Sequence, residues 1–210
     1  MEDKQLITRI EKRLSNGLPG REAQLKMAAH TTRKGYLKAP PEANQAGVLA
    51  LLYPKQAEWH IVLIERGSSN PNDRHRGQIS FPGGRYEEQD QYLSNTALRE
   101  AEEEVGVDAG QVELLGPLTD LYIPVSNFKV APYVGFTEIT PRFVPQEEEV
   151  QGILEVPVRE LIRPENLKMK DLIIREGFTL KQVPYFHLMN KVVWGATAMM
   201  LSELVEVIKR

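Results

Sequence analysis

The sequence predicts an α+β fold, an α/β/α sandwich in which helices flank a mixed β-sheet. Three observations lead there. Strand-like and helix-like segments mix without strict βαβ alternation, no internal repeat divides the chain, and 210 residues suffice to bury the apolar side chains of one domain. The expected division is a helix and irregular lead-in over residues 1–45, followed by the principal domain with its closing helix over residues 46–210.

Leu6, Ile10 and Leu14 recur every four residues ahead of Gly17 and Pro19, so the chain opens on a short amphipathic helix. From Arg21 to Gln45 the pattern weakens towards Pro40-Pro41, and an irregular or partly helical lead-in is expected. GVLALLYP and WHIVLIER are rich in branched apolar residues and read as neighbouring strands joined by a polar turn at Lys55–Glu58. A polar loop, Gly67 to Arg76, follows. Ser94 to Val105 is the strongest helical pattern, with Ser94 or Asn95 as its cap and Gly106 as a left-handed stop. Further strands are expected at Val112–Leu115, Lys129–Thr137, Leu172–Ile174 and Tyr185–Leu188. Leu201, Leu204, Val205 and Ile208 then mark a closing amphipathic helix.

Composition narrows the chemistry. Cysteine is absent, which removes thiol nucleophiles, Cys-bound zinc, iron–sulfur clusters and disulfides; any metal must rest on oxygen or imidazole. A formal charge of −3 argues against a nucleic-acid polymer as partner, because polymer binding relies on many Lys and Arg contacts to phosphate. The charged start MEDKQLITRIEKRL has no apolar signal core, and Ser202, Glu203 and Glu206 interrupt the most apolar stretch, so a cytoplasmic protein without a membrane partner is expected. The sequence is compatible with a homodimer.

The helix separates its residues by angle. Ala97, Leu98, Ala101 and Val105 form one stripe, whereas Glu100, Glu103 and Glu104 fall at i, i+3 and i+4 on another. Three carboxylates at that spacing repel one another, and Arg99 alone leaves negative charge uncompensated. A hard divalent cation would neutralise the rest, since Mg²⁺ prefers carboxylate oxygens and keeps phosphate oxygens in its shell. Just upstream, FPGG at Phe81–Gly84 ends a strand-like segment with two glycines, where backbone can approach a ligand closely and turn a carbonyl towards a metal.

In this order, Gly84 through Val107 resembles the Nudix box, G-x5-E-x7-R-E-U-x-E-E-x-G-U with U apolar. Arg99, Glu100, Ala101, Glu103, Glu104, Gly106 and Val107 match its second half throughout. In the first half one extra residue lies between Gly84 and Arg99, and the glutamate position falls on Asp90 or Gln91. That expansion, with GQISFPGG before it, resembles the coenzyme A pyrophosphatase branch. The branch's upstream signature, L-L-T-x-R-[S/A]-x3-R-x3-G, is met at Arg66, Arg74 and Gly77, with Ile64 for its threonine, Gly67 for its Ser or Ala and a loop two residues longer.

The resemblance implies a Nudix-like fold and a pyrophosphatase dependent on Mg²⁺ or Mn²⁺, bound by the carbonyl of Gly83 and the carboxylates of Glu100, Glu103 and Glu104. It implies a small nucleotide substrate, coenzyme A or acyl-CoA, cleaved to 4′-phosphopantetheine and adenosine 3′,5′-bisphosphate. Glu100 or a glutamate of the run Glu147–Glu149 would take the proton of water, with Glu149 preferred, and Arg99 would hold a catalytic glutamate. Arg66, Arg74, His75 and Arg76, with Gly84, are the candidates for substrate binding, since guanidinium groups bind phosphate in a planar fork. ADP-ribose, other nucleotide sugars and dinucleotides remain alternative substrates, and a nucleotide-sensing domain without catalysis is the alternative from another class.

Overall fold

The computed structural model describes residues 2–29, 38–67, 76–175 and 177–209. Its centre is an eight-stranded mixed sheet. Strand β1 (Asn44–Lys55) forms a hairpin with β2 (Glu58–Arg66), and Gln56 and Ala57 between them both take positive φ, as a tight two-residue turn requires. The short strands β3 (Ile79–Ser80) and β4 (Gly83–Arg85) pair with β2 and β1. On the other side of β1, β7 (Phe128–Phe136) runs parallel to it, and β5 (Glu113–Pro117) and β6 (Leu121–Ile123) pair antiparallel with β7. Strand β8 (Val150–Pro157) adds to the outer side of β2.

Both faces of the central strands are covered, which is why their sequences read as almost unbroken apolar runs. Leu49, Leu51, Tyr53, Val62 and Ile64 point to one side and pack against Ala97, Ala101 and Val105 of helix α3 (Leu93–Val105). Ala50, Leu52, Ile61 and Leu63 point to the other, where helices α1 (Glu2–Ser15), α2 (Gly20–Leu25) and, after the one-turn helix α4 (Val158–Leu161), the closing helix α5 (Gly195–Lys209) complete the second layer. Each leucine, isoleucine or valine among them contributes about 1.5–3 kcal/mol by leaving water. Ile7, Ile10, Met27 and Ala28, from residues 1–45, belong to this second core. Among the described residues no helix is long and apolar enough to cross a membrane.

Three sequence expectations change. Helix α3 begins at Leu93 after Tyr92, with no side-chain cap; Asn95 instead donates to the carbonyl of Asp90 at 2.7 Å, and Ser94 does not cap the helix. The short 3₁₀ turn Glu88–Asp90 fixes the entry of the helix, so the capping serine or asparagine is not needed. The closing helix is not amphipathic in effect. It is wedged against α1, α2, β6 and a second sheet, so that even Glu203 is buried, its carboxylate accepting from Gly20 N (3.1 Å), Gln24 Nε2 (2.9 Å) and Thr119 Oγ1 (2.7 Å). That second sheet, β9 (Leu167–Arg175), β10 (Phe178–Leu188) and β11 (Lys191–Val193), extends well beyond the two short strands expected.

Candidate active site

Two glycines bring α3 against the sheet. A Cβ on Gly47 of β1 would lie 2.2 Å from the carbonyl oxygen of Leu93, so the helix start can approach only a strand that lacks a side chain there. Gly83, opposite Val48, has φ +150, and a Cβ on it would meet the Gly47 carbonyl oxygen at 2.5 Å. Gly84 leaves room for a carboxylate, since its Cβ would fall 2.5 Å from the carboxyl group of Glu100. The Gly-Gly pair thus does two jobs, one for backbone and one for the site.

Glu104 is the buried member of the acidic ridge, only 1% exposed, and its Oε2 accepts from the N–H of Gly83 at 2.8 Å. Burial pushes its pKa up to about 7; the Gly83 N–H and Arg66 act against that shift, and the charges of Glu100 and Glu149 reinforce it. Arg66 Nη1 stands 3.7 Å from Glu104 Oε1, a distance that leaves the buried charge only partly balanced. Glu100 is also raised by burial, opposed by Arg99 and reinforced by Glu103 and Glu149. Glu103 is more exposed and accepts from Arg99 Nη1 at 2.9 Å.

Arg99 is the hub. It donates through Nε and Nη2 to both oxygens of Asp90, through Nη1 to Glu103 and through Nη2 to the carbonyl of Arg85, and Nη2 also lies 3.0 Å from Glu100 Oε1. Asp90 is buried and accepts in addition from Thr96 Oγ1 and from the N–H of Glu87. The Arg99 hydrogen bond, ahead of the other donors, holds its carboxyl down at about 2, and in return Arg99 is held protonated more firmly than usual.

Glu149 reaches this group because its segment is laced to the end of α3. Val144 N donates to the carbonyl of Val105 and Gln146 N to that of Glu104, satisfying acceptors that the last helical turn leaves open. The carbonyl of Glu149 then accepts from Gly67 N at 2.6 Å, directly after Arg66. Four sequence-distant pieces therefore meet: the FPGG strand, the acidic helix, the base of the Gly67–Arg76 loop and the Glu147–Glu149 run. Gly77 N donates to the Arg66 carbonyl and closes that loop at its foot, where Arg76 is exposed. Arg74 and His75 lie outside the described residues.

The donor set has the chemistry a hard cation takes: carboxylate and carbonyl oxygen, no sulfur, and a buried carboxylate whose own counter-charge is distant. Among the described residues no three acidic or imidazole side chains already close on one point, because Arg99 draws Glu103 aside and Gly83 N–H holds Glu104.

Residues 43–177 match the NUDIX domain, and an uncharacterized Nudix hydrolase, NudL of Yersinia enterocolitica, is 38% identical over 157 residues, 75% of this chain and 79% of that relative. The chain belongs to the Nudix family. Its members are hydrolases of pyrophosphate bonds. NudL of Yersinia pestis is likewise 38% identical, over 133 residues, 63% of this chain and 65% of the relative. The crystal structure of a MutT/nudix family protein from Enterococcus faecalis superposes with a TM-score of 0.49 at 15% identity, over 89% of this chain and 71% of that one.

Asp90, in the turn before the Nudix helix, and Thr96, in its first turn, are the residues that sequence reasoning did not assign to the site. Of Asp90 and Gln91, the two residues on which the family's glutamate position falls, Asp90 binds Arg99, whereas Gln91 sits at φ +62 in the turn before the helix. The lacing of Val144 and Gln146 to the helix end had no sequence signal, since it uses backbone groups alone.

Proposed function

We propose that this Nudix protein hydrolyses the pyrophosphate of coenzyme A or an acyl-CoA, releasing 4′-phosphopantetheine or its acyl form and adenosine 3′,5′-bisphosphate. The observation that carries this reading is the meeting of Glu100, Glu104 and Glu149 with Arg66, whose loop resembles the coenzyme A branch signature. The branch resemblance of GQISFPGG and the expanded box supports the choice of substrate within the family.

The Gly83 carbonyl and the carboxylates of Glu100, Glu103 and Glu104 would hold Mg²⁺ or Mn²⁺. Such a cation supplies charge neutralisation on the pyrophosphate oxygens and a lowered pKa for the attacking water. The chain's own residues do the rest. Glu149 accepts the water proton on a carboxylate oxygen; its partial exposure leaves it open to solvent, whereas Glu100, the other candidate, is already engaged by Arg99. Arg99, anchored on Asp90, orients Glu100 and Glu103 and touches no substrate. Gly84 keeps the surface beside Glu100 free of a side chain. Arg66, with Arg74, His75 and Arg76 of its loop, supplies cations for the phosphates, including the 3′-phosphate.

The test is product analysis after incubation with coenzyme A and Mg²⁺ in ¹⁸O-water, with 3′-dephospho-coenzyme A and ADP-ribose as comparators. The expected result is the two named products with one ¹⁸O in a phosphate, and the fastest turnover with coenzyme A. Equal rates on all three substrates would refute recognition of the 3′-phosphate, and no turnover of any nucleotide would favour a sensing role.

A further inference from the structure

Strand β9 is an open edge: among the described residues it pairs with β10 and with no other strand. Most of its residues are exposed on both faces, and Leu167, Met169, Ile173 and Ile174, joined by Phe178 at the start of β10, concentrate large apolar side chains on this one hairpin. Ile173 is the extreme, 79% exposed. Edges of this kind are usually protected by charge, proline or a covering element. Lys168 and Lys170 protect the first half of β9, but Leu172, Ile173 and Ile174 in succession carry no charge at all. The hairpin is nevertheless well built at that point, because Asp171 accepts from Lys181 Nζ at 2.8 Å and from Gln182 N at 2.9 Å and so ties β9 to β10.

We propose that two copies of this chain associate through β9, edge to edge and antiparallel about a two-fold axis that passes through Ile173. The choice of a second copy rests on register and charge. When an edge strand pairs antiparallel with its own copy, the residue at the axis faces itself and its neighbours face one another on the same side of the sheet. An axis at Lys170 or Asp171 opposes like charges, and an axis at Leu172 sets Asp171 against Ile173. With the axis at Ile173, each Ile173 meets the other, and Leu172 of each copy meets Ile174 of the other. This register opposes no like charges and removes the most exposed apolar residue from water.

The test is sedimentation velocity on the full chain over a concentration series, with Ile173→Lys and Ile173→Glu as variants. Ile173 is too exposed to support the core, and circular dichroism with thermal melting verifies that both variants fold as the parent does. The parent is expected to sediment as a dimer at high concentration, and each variant alone as a monomer, because like charges then face one another at the axis. Mixing the two variants is expected to restore the dimer, since lysine now faces glutamate. A parent that stays monomeric throughout overturns the proposal and points to another protein as the occupant of this edge. A dimer that survives Ile173→Lys overturns it by locating the interface elsewhere. Failure of the mixed variants to pair overturns the self-facing register.

Discussion

Arg99 grips Asp90 with two nitrogens, Nε to Oδ1 at 2.8 Å and Nη2 to Oδ2 at 3.1 Å, across the turn that leads into the Nudix helix. This fork holds the guanidinium still, so that its remaining N–H groups fix Glu103 and face Glu100. The ridge of carboxylates owes its order to a residue that is not on the helix.

Asp90→Asn weakens that anchor. Loss of the charge-assisted fork is expected to lower stability by about 2 kcal/mol and turnover by about 10–100-fold, the range for removing an outer partner of a metal site. Because Asp90 is held at about 2, below its ordinary 3.8, its stabilisation is complete above pH 3.8 and disappears as pH falls through 2. Acid unfolding followed by circular dichroism should therefore show a shallower loss of stability between those pH values for Asp90→Asn than for the parent.

Glu104 behaves in the opposite sense. Its folded-state pKa of about 7 exceeds the ordinary 4.5, so in the metal-free protein its contribution is greatest below pH 4.5 and is lost as pH rises through 7. Glu104→Gln keeps an acceptor for the Gly83 N–H and removes the buried charge. Thermal melting with a chelator present should find the variant more stable than the parent at pH 8. Turnover should fall by about 10²-fold or more, the scale of deleting one electrostatic stabiliser of a transition state.

Glu149→Gln is expected to reduce kcat by about 10²–10⁴-fold, the contribution typical of a general base, with little effect on folding because the side chain is exposed. Its neighbour Glu148→Gln serves as the control and should retain parental turnover. Steady-state kinetics with coenzyme A and Mg²⁺ checks both variants.

Two glycine variants separate fold from site. Gly47→Ala forces a methyl group into the backbone of Leu93 and should destabilise the protein by about 1–3 kcal/mol, as overpacking does. Gly84→Ala meets the carboxyl end of the Glu100 side chain instead of backbone, so urea unfolding should change less than for Gly47→Ala while turnover falls.

Much of this arrangement was legible in the sequence because it follows from periodicity and local chemistry. The β1–β2 hairpin, the apolar stripe of α3 and its stop at Gly106, which adopts φ 70, all follow from residue spacing and turn preference. The acidic ridge was legible as three carboxylates too crowded to lie on an ordinary solvated face. What escaped depends on contacts between distant segments. Helix α3 starts without a side-chain cap, and the carboxylate of Asp90 just before it is engaged by Arg99, a residue in the second turn of the helix. The burial of Glu203 depends on Gly20, Gln24 and Thr119, which come together only in the fold. Strand β9 and the first half of β10 lack the clean alternation of a half-buried strand because both faces are open there, whereas Val183, Phe186 and Leu188 later in β10 enter the core.

The measurement that bears most directly on the site is anomalous scattering from crystals soaked in Mn²⁺. A peak is expected within coordination distance of Glu100 and Glu104 beside the Gly83 carbonyl, with Glu103 swung away from Arg99 towards it. An absence of any peak beside that helix, in crystals of protein active with Mn²⁺, would contradict the assignment.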